Sequence, residues 1–204
     1  MKKEIIMKRI FIGFFTLFVI NLYAESYENI MKKAKNGDSY YQAEAGSIYE
    51  FAKNGKTKNI KKALEWYEKA CNNSNSFACN RIARISRDQF NIEKSIKYWI
   101  KSNIGSSFLN VGIVYYHGQG VPVDFNKAFK YFNKASHLGN LQATYNLAVM
   151  LEKAQGTPHN WNRAWELYVE SADMNFISSI EKVKRICNMR KNPKIDPICA
   201  KYLK

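Results

Sequence analysis

Small, bulky and polar residues recur in one order along four stretches of the chain: NIKKALEWYEKAC (59–71), NIEKSIKYWIKSN (91–103), DFNKAFKYFNKAS (124–136) and NWNRAWELYVESA (160–172). Each opens with Asn59, Asn91, Asp124 or Asn160. A small residue follows (Ala63, Ser95, Ala128, Ala164), then a bulky pair (Trp66-Tyr67, Tyr98-Trp99, Tyr131-Phe132, Leu167-Tyr168), then a second small residue (Ala70, Ser102, Ala135, Ser171). The openings lie 32, 33 and 36 residues apart. Spacings of i, i+3/i+4 and i+7 put these positions on one stripe of an α-helix. The opening Asn or Asp is an N-cap, whose side chain accepts a hydrogen bond from a first-turn amide. Each stretch is therefore predicted to be a helix that approaches a neighbour closely at its small residues and wedges with its aromatics. A stripe repeated in register is a core pattern; an aromatic box for a ligand is the competing reading.

A second type of helix lies between these. FLNVGIVYYHGQG (108–120) and TYNLAVMLEKAQG (144–156) superpose at an interval of 36, matching Asn110 to Asn146, Gly112 to Ala148 and Gly120 to Gly156. YQAEAGSIYEFAKNG (41–55) is a third copy, with Gly46 and Tyr49 at the places of Gly112 and Tyr115. The connections HGQGVPVD (117–124) and KAQGTPHN (153–160) hold the Gly and Pro that stop one helix and the cap that starts the next. No segment reads as a strand meander. The pattern predicts an all-α chain of stacked antiparallel helix pairs, an α-solenoid.

The chain has 204 residues, 46% apolar and 24% charged, a composition that folds. Its first 24 residues read differently from the rest. Lys2, Lys3, Lys8 and Arg9 precede the apolar run FIGFFTLFVI (11–20), and the segment ends Leu22-Tyr23-Ala24. That is the layout of a secretory signal peptide, with an uncleaved anchor as the competing reading. The first cysteine is Cys71, so lipoprotein processing is not expected. The mature chain is expected to be exported, periplasmic or secreted, with no stable membrane span once the signal is removed. Removal lowers the formal charge from +15 to +12. A basic exported protein can meet an acidic protein surface, an acidic glycan or anionic lipid, whereas nucleic acid is not an expected partner there. The basic excess is spread along the chain except in residues 174–204, which carry eight Lys/Arg against two acids. A merely solvated basic surface explains the excess equally well.

VGIVYYHGQGVPVDFNKAFKYFNKA (111–135) carries a Gly after an apolar residue, then Tyr, then G-x-G-V and Asp, then K-A with an aromatic pair. In this it resembles the Sel1-like repeats, relatives of the tetratricopeptide repeats. The copy at 144–172 follows the same pattern with Ala154 for the first loop Gly; the copies at 41–71 and 77–103 are degenerate, the latter with the short loop SRDQFN (86–91). After the signal segment at 1–24, the resemblance implies an N-terminal capping helix at 25–37, about four helix pairs over 38–175 and a C-terminal helical cap at 176–204.

In that register Cys71 ends one second helix and Cys79 lies in the next first helix, facing across the turn NNSNSFA. Cys187 and Cys199 flank a second turn. Four cysteines in an exported chain favour disulfides. Of the three connectivities, the most local pairs Cys71 with Cys79 and Cys187 with Cys199. Closing loops this short is worth roughly 2–3 kcal/mol each in the chain-entropy model. KACNNSNSFACNRIA also resembles the Helicobacter cysteine-rich proteins, exported Sel1-like repeat proteins with one bridge per repeat. The resemblance is partial, because Ser136 and Ala172 stand where that pattern places Cys.

Some members of that family bind or hydrolyse β-lactams, so the resemblance implies an alternative function as a β-lactam-binding protein or weak β-lactamase. The serine β-lactamase motifs are S-x-x-K, S-D-N and K-T-G. SIEK (179–182) fits the first, and the other two are missing. His117, His137 and His159 fall in different elements, which argues against a zinc site. No phosphate loop, HExxH or nucleophile elbow occurs. No catalytic residue, metal or cofactor is expected. The main reading is a non-catalytic interaction module whose concave face is lined by the first helix of each pair. Counting from the Gly/Ala marker, its outward positions are Asn110, Ile113, Tyr116 and His117, then Asn146, Val149, Glu152 and Lys153, with Arg84 in the degenerate copy. Amide, aromatic and cationic groups of this kind suit a protein or peptide partner, or a glycan end. The asparagines have a second reading, as ties between adjacent helices.

Overall fold

The four Asn/Asp openings are N-caps. Asn59, Asn91, Asp124 and Asn160 accept through Oδ1 from the backbone amides of Lys62, Lys94, Lys127 and Arg163, at 2.9 to 3.0 Å. The first helices have caps of the same kind at Asp38, Asn75 and Asn140. The computed structural model describes residues 25–189 and 197–203. The expected signal segment at 1–24 and most of the second cysteine-flanked turn lie outside the described residues.

Eleven helices run along the described residues, and no strand. They are α1 (Tyr27–Lys35), α2 (Ser39–Phe51), α3 (Ile60–Asn72), α4 (Ser76–Asp88), α5 (Ile92–Ser102), α6 (Gly105–His117), α7 (Phe125–His137), α8 (Leu141–Glu152), α9 (Trp161–Asp173), α10 (Ile177–Asn188) and α11 (Pro197–Tyr202). The chain forms two compact units, one ending at Ala78 and one beginning at Cys79. In the first unit α2 packs against both α1 and α3. In the second, each helix from α5 to α11 packs on the next. Helices joined by such short turns run antiparallel.

The contact that sets each pair is between the second bulky residue of the stripe and the small residue of the first helix. Tyr67, Trp99, Phe132 and Tyr168 are at most 2% exposed. A Cβ added at Gly46 would come within 2.5 Å of the Tyr67 ring, and one at Gly112 within 2.5 Å of the Phe132 ring. At those two places the ring lies flat on helix backbone, which only glycine permits. Ala83 and Ala148 hold the same place in the cores containing Trp99 and Tyr168.

One turn beyond the small residue, the first helix answers to the ring it covers. Tyr67 donates its hydroxyl to Glu50 Oε2 at 2.7 Å, and Tyr168 donates to Glu152 Oε2 at 2.6 Å. Phe132 has no hydroxyl, and its covering helix carries Tyr116 at that position. Trp99 is faced by Arg87, whose guanidinium lies 6.0 Å from the ring centre. Burial works to raise the Glu152 carboxyl, but the hydrogen bonds from Lys182 and Tyr168 outweigh it and hold the group below the ordinary glutamate range. Burial, with the bond to Glu152, pushes the Tyr168 phenol far up.

The connections close as the spacing predicts. Gly118 caps α6 in the left-handed conformation at φ 67°, and Ala154 adopts the same conformation at φ 55°. A Cβ on Gly156 would meet the Phe125 carbonyl oxygen at 2.2 Å, so this loop sits directly on the start of α7. In the first unit, the turn within NNSNSFA ties back one repeat. Asn73 Nδ2 donates to the Gly37 carbonyl at 3.3 Å and Asn75 Nδ2 to that of Ser39 at 3.1 Å.

All four cysteines are disulfide-bonded. Cys187 joins α10 to Cys199 of α11, and Asp173 at the end of α9 accepts from both Lys201 and Tyr202 of α11. Between the copies at 108–136 and 144–172, the places of Cys71 and Cys79 are taken by Ser136 and Thr144, whose hydroxyls are 2.8 Å apart. The repeat that lacks a bridge there has a hydrogen bond instead.

Gly112→Ala is expected to destabilise the protein by about 1–3 kcal/mol through overpacking on Phe132, and Phe132→Leu in the same chain to recover part of the loss in urea unfolding. Ala154→Gly is expected to raise stability by up to about 1 kcal/mol, because alanine is strained at positive φ and glycine is not. The Glu152 cluster gives a pH signature. A folded pKa below the unfolded value of about 4.3 contributes stability that is whole above that pH and lost as pH falls through the folded value. Melting curves from pH 7 to pH 3 are expected to show wild type above Glu152→Gln at neutral pH and the two converging in acid. A gap of equal size at both ends would contradict the assignment.

Candidate binding groove

The second unit brings outward residues of two successive first helices to one hollow. Ile113, Tyr116 and His117 from α6 meet Tyr145, Asn146 and Val149 from α8 around a cavity of about 230 Å³, with Phe132 of α7 beneath. Each side chain arrives there for a reason already present in the packing. Gly112 and Ala148 face α7 and α9, so the residues one place after them, Ile113 and Val149, emerge on the opposite shoulder and are half-buried. Asn146 and Tyr116 follow at two places before Ala148 and four after Gly112.

Tyr116 is held in place by its neighbours. Its hydroxyl donates to Gln155 Oε1 at 2.9 Å, across a repeat. Its ring meets the edges of His117 and Phe125 at centroid distances of 4.9 and 5.3 Å. Tyr145 packs between Tyr168 at 5.5 Å and Phe176 at 5.9 Å. The groove thus offers two ordered aromatic walls, an apolar pocket between Ile113 and Val149, an amide at Asn146 and an exposed imidazole at His117. An amide side chain carries a donor and an acceptor side by side, the complement of a peptide group.

Five of the predicted concave-face residues, Ile113, Tyr116, His117, Asn146 and Val149, line this cavity. The other four stand elsewhere. Asn110 is half-buried on α6, Arg84 is exposed on α4, and Lys153 is exposed at the end of α8. The Glu152 carboxylate accepts from Tyr168 of its own pair and forms an ion pair at 2.8 Å with Lys182 of the next. Its count from Ala148 is that of Tyr116 from Gly112, but the ring beneath carries a hydroxyl that takes it inward. Phe132 and Tyr145 belong to the groove although sequence reasoning assigned neither to it. Phe132 reads as core, and as the floor it is both. Tyr145 precedes Asn146 directly, and nothing in the spacing sets it apart.

A second cavity of about 340 Å³ shares Tyr145 as a wall and continues along α10, lined by Ser178, Glu181, Lys182 and Arg185. The Ser179 of SIEK is fully buried, with its hydroxyl 2.6 Å from that of Ser171, and Lys182 of the same motif is the partner of Glu152. Among the described residues, no helix is long and apolar enough to cross a membrane.

The Sel1 repeat family matches residues 39–75, 109–140 and 141–176, together about half of the chain. Residues 76–108, which hold the degenerate copy at 77–103, lie between the matches. Cytochrome c oxidase assembly factor 7A of Xenopus laevis is 26% identical over 182 residues, covering 76% of this chain and 78% of that one. Among solved structures, a Sel1 repeat protein from Oxalobacter formigenes is similar with a TM-score of 0.64 and 24% identity, over 87% of this chain and 75% of that one. The cysteine-rich protein B of Helicobacter pylori is similar with a TM-score of 0.48 and 26% identity, over 60% of this chain and 92% of that one. Three matched repeats, each a capped helix pair closed by a buried aromatic, place the chain in the Sel1 repeat family.

Proposed function

We propose that this protein is an exported, non-catalytic interaction module that holds an extended segment of a partner protein in the groove between α6 and α8. Sel1 repeats are protein-interaction modules. The observation that carries the reading is the convergence of Ile113, Tyr116, His117, Asn146 and Val149, drawn from two repeats, on one cavity. An apolar side chain of the partner fills the space between Ile113 and Val149, while Asn146 pairs with a peptide group. Pockets for alternate side chains and a few fixed polar groups are how grooves read extended chains. Both aromatic walls are already ordered, which limits the entropy lost on binding. Export is supported by the basic-then-apolar start of the chain and by the disulfide state of all four cysteines.

The test is fluorescence anisotropy with terminally blocked decapeptides carrying a central Leu, titrated with oxidised protein. Tyr116→Ala and Asn146→Ala are each expected to weaken the best binders about tenfold, equivalent to about 1.4 kcal/mol, while Arg84→Ala leaves them unchanged. Binding indifferent to both groove variants would overturn the assignment, as would the absence of binding across the set. Nitrocefin turnover by the same preparation would replace it with the β-lactam reading.

A further inference from the structure

The polar cavity along α10 is the feature that the groove reading does not absorb. It shares Tyr145 with the groove, so the two cavities adjoin at that ring. Its lining changes character abruptly, from Ile113, Tyr116 and Val149 to Ser178, Glu181, Lys182 and Arg185. The charges around it have distinct duties. The Lys182 side chain is only 11% exposed, clamped by Glu152 and lying 5.2 Å from the centre of the Tyr168 ring. Glu152 is in turn satisfied by Lys182 and Tyr168. Arg185 stands exposed at the rim and acts on that set through its charge alone, helping to keep Glu152 ionised. Glu181, one turn earlier on α10, is the single acid in the lining. The helix that carries the lining is itself positive, with Lys182, Lys184 and Arg185 against Glu181. A concave site inside such a field concentrates anions.

We infer that this cavity is an acid-reading subsite, and that the groove takes an extended partner segment in which an Asp or Glu side chain follows the apolar anchor. Arg185 supplies the charge, in a planar fork suited to a carboxylate. Ser178 supplies a hydroxyl, and Lys182, immobilised by Glu152, forms a rigid floor. The inference rests on the groove reading, since Tyr145 connects the two chambers only for a ligand already seated against Asn146 and Val149.

The probes are acetylated, amidated octapeptides with one Leu anchor and a single Glu placed one to four residues to either side, each with a Gln twin. Binding to the full oxidised protein is measured by anisotropy at low and at physiological salt. At one spacing the Glu peptide is expected to bind about tenfold more tightly than its Gln twin. Arg185→Gln is expected to abolish that preference, Arg185→Lys to keep part of it, and higher salt to shrink it. Equal binding of Glu and Gln twins, with Tyr116→Ala still lowering affinity, would sink the acid-reading subsite and leave the groove standing. A preference that survives Arg185→Gln would sink it too, as would affinity that appears only with a free C-terminal carboxylate. If neither twin binds at any spacing, both readings fail.

Discussion

Everything in this fold leans on one contact, a large ring from the second helix laid against a residue with little or no side chain on the first. Isolated helices of this length are marginal in water, and each is held by burying its stripe on a neighbour. The ring is fully buried at the crossing, and the small residue opposite allows the backbones to come close enough to bury it. The contact is sharpest at Gly46 and Gly112, where the added Cβ would stand 2.5 Å from ring atoms. It also decides what can occupy the next turn. A buried hydroxyl must find an acceptor, so Tyr67 and Tyr168 call for Glu50 and Glu152, whereas Phe132 makes no such demand.

That difference is the origin of the groove. At the position where a tyrosine ring draws a glutamate inward, the phenylalanine repeat is free to carry Tyr116. Tyr116 turns along the surface, donates to Gln155 one repeat on, and becomes a wall. The adjoining polar chamber has the opposite origin. There the Tyr168 hydroxyl captures Glu152, Glu152 captures Lys182, and the chamber beyond them is left with the Arg185 guanidinium at its rim. Two neighbouring repeats of one pattern thus present an apolar and a cationic chamber because their buried rings differ by one oxygen atom.

Chain ends and weak repeats are secured by other means. The four bonded cysteines stand at the turn that opens the copy at 77–103 and on the last two helices. Between the better repeats, Ser136 and Thr144 meet at the register of Cys71 and Cys79 with a hydrogen bond in place of a covalent one.

The helix pairs, their caps and their register are legible in the residues alone. Caps, stripes and left-handed turn positions are local, each set by a few neighbouring residues, and they repeat, so one copy checks another. The sequence also placed Ile113, Tyr116, His117, Asn146 and Val149 on one face, because a helix of known phase has known faces. The inward turn of Glu152, the place of Phe132 and Tyr145 in the groove, and the burial of Ser179 emerge only when the helices pack. Each of these depends on which residue of another helix lies opposite. That pairing is set by the depth and chemistry of a ring one helix away, and helical periodicity carries no information about it.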